Sequence, residues 1–132
     1  MSSQIVIKIN TFIKNRLIDF LGILLIFTSI FLLASIISYS PSDPNFIYTP
    51  EDTEIKNIGG FYGSVISDFL LQALGLISFF IIVNFFYWGL KLITKKTVNN
   101  FITKIFFVLI YIVLGTTTIN IFHHDSFWLV DN

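Results

Sequence analysis

The chain has 132 residues, of which 55% are hydrophobic and 12% are charged, with eight basic and eight acidic side chains. A soluble domain of this size has too much surface to bury so many apolar residues, so the composition indicates a membrane protein. Cysteine is absent, which excludes disulfides and thiolate metal sites, and the basic residues form no patch of the kind that binds nucleic acid.

Three long runs without a charged side chain predict three transmembrane helices. The runs lie at 20–37, 69–90 and 105–122, and at roughly 18 to 22 residues each they reach across about 30 Å of hydrocarbon. A backbone in lipid must satisfy its own hydrogen bonds, so each run is predicted to be helical. With flanking residues, the predicted spans are 17–39, 63–92 and 101–122, within a single all-α membrane domain that covers 1–132.

The distribution of cations predicts the orientation of these spans. Seven of the eight basic residues flank the first span on its N-terminal side or lie near the loop 93–100, and Lys56 alone lies in the loop 40–62. Because cytoplasmic loops carry the excess of Lys and Arg, we expect the N-terminus and the loop 93–100 to be cytoplasmic. The loop 40–62 and the tail 123–132 are then expected outside, in the periplasm.

The loop 40–62 contains all three prolines of the chain, Pro41, Pro44 and Pro50. Proline fixes φ and removes a hydrogen-bond donor, so the segment after the first span is predicted to be extended and turned. Asn57 to Gly60 are predicted to form a turn that leads into the second helix.

A short polar face is predicted at the start of the second span. Ser64, Asp68 and Gln72 follow one another at a spacing of four, which places them on one side of a helix. An acid inside a membrane helix normally faces protein or water. Two interpretations follow: an interhelical hydrogen bond, which we favour, or a proton or ion relay. Gly59 and Gly63 have the spacing of a helix-packing pair, although a turn role for Gly59 is equally consistent with its position.

Other polar residues interrupt the apolar runs or follow them. Asn84 is expected either to bond across helices or to bind local water, and the hydroxyl of Tyr111 needs a partner on a neighbouring helix. Arg16 and Asp19 are expected to form a surface ion pair. His123, His124 and Asp125 form a poor metal site, since adjacent histidines point apart, and they are better interpreted as an interfacial cap.

Motifs for catalysis are absent from the sequence. It contains no G-x-x-x-x-G-K-[ST], G-x-G-x-x-G or H-E-x-x-H pattern, and no nucleophile with a plausible base. We therefore predict a chain that is not an enzyme, with no catalytic residues, no cofactor, no metal and no small-molecule substrate.

Two segments and two further residues carry a resemblance to a known family. The segment S-Y-S-P-S-D-P includes Ser40, Pro41, Ser42, Asp43 and Pro44, and the segment I-K-N-I-G-G includes Asn57, Gly59 and Gly60, followed by Gly63 and Asp68. In this order they resemble the S-[YF]-x-P-S-D-P and G-G-x-x-G-x-x-x-x-D patterns of the N-terminal four-helix (4TM) membrane region of the FtsK/SpoIIIE DNA translocases. The resemblance covers residues 16–132. Tyr62 departs from it, because the family often has a small residue or Pro there.

The resemblance implies a membrane anchor in the bacterial inner membrane that places a DNA translocase at the division septum, with roles in cell division and chromosome partition. Expected partners are membrane lipid, other copies of the chain and other division proteins, without direct contact to nucleic acid. The family has four spans and a downstream ATPase motor, so we expect the reading frame to continue past Asn132. The alternative is a small unrelated transporter or channel subunit that uses Asp68.

Overall fold

The computed structural model describes residues 2–47, 54–95 and 100–122. Within these ranges the regular secondary structure is entirely α-helical, without a strand. The helices are α1 (Ser2–Ile37), α2 (Gly60–Leu74), α3 (Ile77–Lys95) and α4 (Phe101–Phe122). The predicted all-α class is therefore confirmed.

Helix α1 begins much earlier than the predicted span 17–39. It has 36 residues and starts at Ser2. Its first 20 residues contain neither proline nor glycine, so nothing in the chain interrupts the helix before the apolar run begins. It ends at Ile37 because Pro41 follows closely, and the residue before a proline disfavours the helical conformation.

The single continuous helix predicted over 63–92 is not observed, because two helices occupy this range. Helix α2 ends at Leu74 and α3 begins at Ile77. Gly75 separates them at φ 55° and ψ −133°, and its N–H donates to the carbonyl of Leu71. The carbonyl of Gly75 in turn accepts the backbone N–H of Ser78 at 3.1 Å and its hydroxyl at 2.6 Å. Glycine adopts positive φ without strain, so one residue ends α2 and caps α3.

Helices α1 and α3 form the main packed pair and run antiparallel. Near one end of the pair, Ile82 packs in one cluster with Leu32, Ile36 and Leu71. Toward the other end, the backbones of Gly22 and Gly89 are in close contact. Later residues of α3 thus meet earlier residues of α1. The cluster also shows that α2, through Leu71, packs against the C-terminal end of α1.

Helix α4 has the bounds 101–122 that were predicted for the third helix, and it runs antiparallel to α3. Gly115 lies against Ile77 at the start of α3, and Tyr111 contacts Asn84 further along it. Few residues of α4 reach the rest of the protein, and most of its large side chains are exposed.

Two helices are long and apolar enough to cross a membrane, over Gln4–Ile37 and Ile77–Thr94, while the apolar stretch of α4, Thr103–Ile119, is shorter. Large apolar side chains such as Phe27, Val83 and Phe107 are more than half exposed, at 73%, 63% and 64%. A continuous surface of this kind suits lipid better than water. The number of spans and the positions of the two termini stay predictions.

Candidate functional site

Ten polar side chains form a hydrogen-bonded cluster where α1 ends and α2 begins, which we call the polar cap. Its members are Ser35, Ser38, Tyr39, Asp43, Asn45, Asn57, Ser64, Ser67, Asp68 and Gln72. They come from the last turns of α1, the loop that follows it and one side of α2. Residues that lie more than 20 positions apart in the chain are thereby held together.

Asn57 lies at the centre of the polar cap and is 4% exposed. Its Nδ2 donates to the carbonyl of Ser35 at 2.8 Å and lies 3.3 Å from the hydroxyl of Ser67. Its Oδ1 accepts the backbone N–H of Gly59 at 2.9 Å. A helix leaves its last carbonyls without intrahelical partners, and Asn57 satisfies one of them in α1 while it shapes the turn into α2.

Asp43 fixes the backbone around Asn57. Its carboxylate is 3% exposed and accepts the backbone N–H groups of Lys56 at 3.1 Å and Asn57 at 2.8 Å. A buried carboxylate requires such donors, since its desolvation would otherwise be unfavourable. The S-P-S-D-P and N-x-G-G segments are therefore two sides of one hydrogen-bonded structure.

The other residues of the proline-containing segment shape the loop. The hydroxyls of Ser40 and Ser42 are 2.9 Å apart, and the carbonyl of Ser40 accepts the N–H of Asp43 at 3.1 Å. Pro41 is exposed, whereas Pro44 is buried and its carbonyl accepts the hydroxyl of Ser64 at 2.6 Å. These contacts form a tight turn that directs Asp43 inward.

Gly59 and Gly63 line the contact with α1, and both the packing and the turn roles apply. A β-carbon at position 59 would lie 2.7 Å from Oγ of Ser35 and 2.8 Å from the α-carbon of Gly63. A β-carbon at position 63 would overlap the side chain of Asn57. Gly60 has φ +63°, which favours glycine, and its N–H donates to the carbonyl of Asn57 at 2.9 Å.

Asp68 lies at the edge of the polar cap and accepts three hydrogen bonds from neutral groups. Its Oδ1 accepts the hydroxyl of Tyr39 at 3.0 Å and Nε2 of Gln72 at 2.8 Å, and its Oδ2 accepts Nδ2 of Asn45 at 3.1 Å. Asp68 and Gln72 thus meet as the spacing predicted. Ser64, the third member of the predicted face, is directed toward Pro44 instead. Tyr39 and Asn45 join α2 to the segment that follows α1 and not to another helix, so the contact is structural, as favoured, but not strictly interhelical. A relay would need further titratable groups.

Tyr39 lies two residues beyond the end of α1. Burial, followed by the hydrogen bond to Asp68 and its negative charge, raises the pKa of Tyr39 from 10.0 to about 12. The hydroxyl therefore stays protonated and continues to donate to Asp68 across the physiological range.

A cavity of about 300 Å³ opens beside Asp68. The loop after α1 contributes Asn45, Phe46 and Ile47, and α2 contributes Phe69 and Gln72 among other residues. Its wall is therefore apolar and aromatic, with a carboxylate and two amides on one side.

Sequence reasoning missed five members of the polar cap: Ser35, Ser38, Tyr39, Asn45 and Ser67, as partners in one network. None of the five was predicted to have a hydrogen-bond partner in this network. The signal available was the spacing of three between Ser35 and Ser38 beside Tyr39, which places the two serines on one side of the last helical turn.

A second polar contact joins α3 and α4. Nδ2 of Asn84 donates to the hydroxyl of Tyr111 at 2.8 Å and to its own helix at the carbonyl of Phe80 at 2.9 Å. The expected partner for Tyr111 on a neighbouring helix is confirmed, and Asn84 bonds across helices. In the middle of α1, the expected contact of Arg16 with Asp19 is confirmed at 3.5 Å, although a pair with a solvent-exposed partner contributes little.

The proposed cap formed by His123, His124 and Asp125 lies outside the described residues. Within the part of the chain that the structure describes, no group of three or more His, Cys, Asp or Glu side chains could hold a metal ion.

The apolar helices and the polar cap define a helical membrane domain. The family model for the 4TM region of DNA translocase FtsK/SpoIIIE matches residues 14–131, so the chain belongs to this family. It is similar to the DNA translocase FtsK of Azospirillum brasilense, with 29% identity over 90 residues, which is 67% of this chain and 14% of that protein. No solved structure matches the chain significantly.

Membership of this family makes the chain an integral inner-membrane protein and the membrane-anchor part of a cell-division DNA translocase. The alternative of an unrelated transporter or channel subunit is therefore wrong. The matched region is the membrane region of the family, and the chain spans about a seventh of the length of the relative (14%).

Proposed function

We propose that this chain is a non-enzymatic anchor that places a DNA translocase at the division septum and interacts there with other membrane proteins. The observation that carries this proposal is the match of residues 14–131 to the membrane region of the family. The polar cap supports it, because residues of the family resemblance form one connected hydrogen-bonded structure.

The geometry suits an anchor with a rigid recognition surface. The exposed apolar sides of α1, α3 and α4 are suited to lipid, whereas Asp43 and Asn57 hold residues 38–47 and 54–59 together. A loop with satisfied buried hydrogen bonds presents the same surface to every partner, which lowers the entropy lost on binding. Self-association and contact with other division proteins are the interactions we propose for it.

For orientation, we propose a cytoplasmic N-terminus, with the loop 93–100 in the cytoplasm and the loop 40–62 outside. The support is the excess of Lys and Arg in the N-terminal segment and around the loop 93–100, since such excess is typical of cytoplasmic segments. Topology reporters fused after Thr97 and after Asn132 test it. We expect the first to report the cytoplasm and the second the periplasm, and two signals from one compartment would reject the orientation.

Septal placement is tested by imaging a fluorescent protein fused to the N-terminus of the chain in dividing cells. We expect the wild-type fusion to concentrate at midcell. Asn57→Ala should disperse it around the membrane, because it removes the centre of the polar cap. Ile58→Ala is the matched control, since Ile58 is adjacent and 76% exposed, and its fusion should remain at midcell.

Membrane insertion is measured in the same cells by fractionation. Dispersal of Asn57→Ala with normal insertion supports a placement role for the polar cap. A wild-type fusion that inserts normally but shows no midcell enrichment would contradict the proposal.

A further inference from the structure

We propose that the cavity beside Asp68 binds the ammonium headgroup of an aminophospholipid, an ethanolamine lipid, with an acyl chain against the apolar side of α2. The proposal deepens the anchor function above, since it rests on the chain being embedded in a membrane. It follows from the position of the cavity, the charge on its wall and the apolar residues around it.

The cavity lies at a membrane boundary. The apolar stretch of α1 ends at Ile37, and the hydroxyl of Tyr39, just beyond it, is 3.0 Å from Asp68. Tyrosine favours the headgroup level of a bilayer. A ligand that reaches Asp68 is therefore positioned where lipid headgroups are concentrated.

The charge of Asp68 is not balanced by the groups that bond to it. A carboxylate has about four acceptor positions, and the donors from Tyr39, Asn45 and Gln72 are all neutral. They orient the carboxylate and leave acceptor capacity for a further donor. A primary ammonium group supplies both the opposite charge and N–H donors, which makes a charge-assisted hydrogen bond.

The surroundings of Asp68 favour a lipid over a soluble cation. Phe46, Ile47 and Phe69 line the cavity and are 84%, 97% and 65% exposed. Aromatic faces attract cations, and exposed apolar side chains at this depth contact acyl chains. The volume of about 300 Å³ is enough for a headgroup.

A second cavity lies beside the first one. Ala73 lines both the cavity beside Asp68 and this second one of about 390 Å³, whose other walls include Thr116, Thr117 and Ile121 of α4. An apolar tail that extends along α2 from a head at Asp68 therefore reaches the second cavity at Ala73.

The test uses the full chain, purified in micelles with each of three lipids that share acyl chains and differ in headgroup: ethanolamine, choline and glycerol. Native mass spectrometry counts the lipids retained. We expect retention of the ethanolamine lipid to exceed that of the anionic glycerol lipid by about tenfold, as one charge-assisted hydrogen bond implies. The choline lipid should be intermediate, because its headgroup is cationic but has no N–H donor.

Two variants and a control assign the preference to this cavity. Asp68→Asn should abolish the preference for ethanolamine. Phe69→Ala should lower retention while it leaves the hydrogen bonds of Asp68 in place, so it remains informative if Asp68→Asn fails to fold. Asp19→Asn removes a carboxylate in the middle of α1, far from the cavity in the chain, and should retain the wild-type preference.

Equal retention of the three lipids by the wild-type chain would overturn the proposal, as would an unchanged preference in folded Asp68→Asn. Thermal stability of the folded chain that depends on protein concentration and not on the headgroup would overturn it too. That result would identify a second copy of the chain as the occupant. Septal placement is scored separately in cells, so a chain that reaches midcell without lipid preference rejects this inference alone.

Discussion

The carboxamide of Asn57 occupies the space that a β-carbon at Gly63 would need. The amide is held there by the carbonyl of Ser35 and by the backbone N–H of Gly59, at 2.8 and 2.9 Å. The absence of a side chain at position 63 is therefore part of the hydrogen-bonded structure, because it leaves the space that the Asn57 amide fills beside the end of α1.

Gly63→Ala is expected to destabilise the protein by about 3 kcal/mol, because overpacking is combined with distorted hydrogen bonds of a buried amide. Gly60→Ala is the comparison: it has φ +63° but open space around the new methyl group, so only the backbone term of about 1 to 2 kcal/mol applies. Unfolding in mixed micelles, followed by circular dichroism, measures both. An equal loss of unfolding free energy in Gly63→Ala and Gly60→Ala would show that the side chain of Asn57 moves aside without cost.

Asp43→Ala should destabilise the polar cap by about 2 to 3 kcal/mol, because the buried N–H of Asn57 loses its acceptor. Asp43→Asn should have a smaller effect, since one of its two side-chain atoms still accepts. Glu54→Gln, at an exposed position of the same loop, is the control and should change stability by less than about 0.5 kcal/mol. The same micelle unfolding compares the three, and a stable Asp43→Ala variant would contradict the role of the carboxylate.

Tyr39 should titrate near pH 12 in the folded protein, against 10.0 for an unperturbed tyrosine. Its folded pKa is raised, so its stabilising contribution is complete below pH 10 and is lost as the pH rises through about 12. Tyrosinate absorbance, taken as the difference between the wild type and Tyr39→Phe, measures this titration. Asp68→Asn should lower the pKa of Tyr39 only in part, because burial is the larger cause.

The apolar helices were predictable from the sequence, and the break at Gly75 was not. The apolar runs have no charged residues, which is a direct consequence of a lipid environment. A glycine at position 75 does not by itself predict a helix break, because glycine is frequent in uninterrupted membrane helices. The helical conformation of the N-terminal half of α1 was not predicted either. Its polar residues, such as Lys8 and Lys14, are compatible with a helix but not with a membrane span, and the prediction considered only spans.

The polar cap was predictable only as a set of residues and not as a network. Asp68 and Gln72 are four positions apart, so helical geometry alone brings them together. Asn57 and Ser35 are separated by 22 positions, and their contact depends on how the loop folds back on α1. Residue spacing contains no information about such a contact.

The crossing of α1 and α3 depends on glycine at position 89. A β-carbon there would lie 2.7 Å from the carbonyl oxygen of Gly22 and 3.1 Å from the backbone N of Ile26. Backbone atoms cannot move aside, so Gly89→Ala should force the helices apart and destabilise the pair by about 2 kcal/mol or more. Gly115→Ala is the control, because its methyl group would meet only the flexible side chain of Ile77. Micelle unfolding should give a near-neutral result for it, and similar losses in both variants would contradict this account.

The hydrogen bond between Asn84 and Tyr111 is the polar connection between α3 and α4, at 2.8 Å. In an apolar surrounding such a bond is expected to contribute about 0.6 to 2 kcal/mol. A double-mutant cycle with Asn84→Leu, Tyr111→Phe and the double variant isolates this coupling, measured as the free energy of unfolding in micelles.

Thr117→Val tests whether any hydroxyl on α4 contributes to the coupling between α3 and α4. The hydroxyl of Thr117 bonds only to carbonyls of its own helix, at Val113 and Leu114, so its removal should leave the coupling of Asn84 and Tyr111 unchanged. A coupling energy near zero would mean that α4 is held to α3 by apolar contacts, such as that of Gly115 with Ile77. In that case Tyr111→Phe should leave the hydrogen-exchange protection of the α4 amides unchanged. If the two side chains are coupled, Tyr111→Phe should lower that protection, because α4 has few other contacts with the rest of the protein.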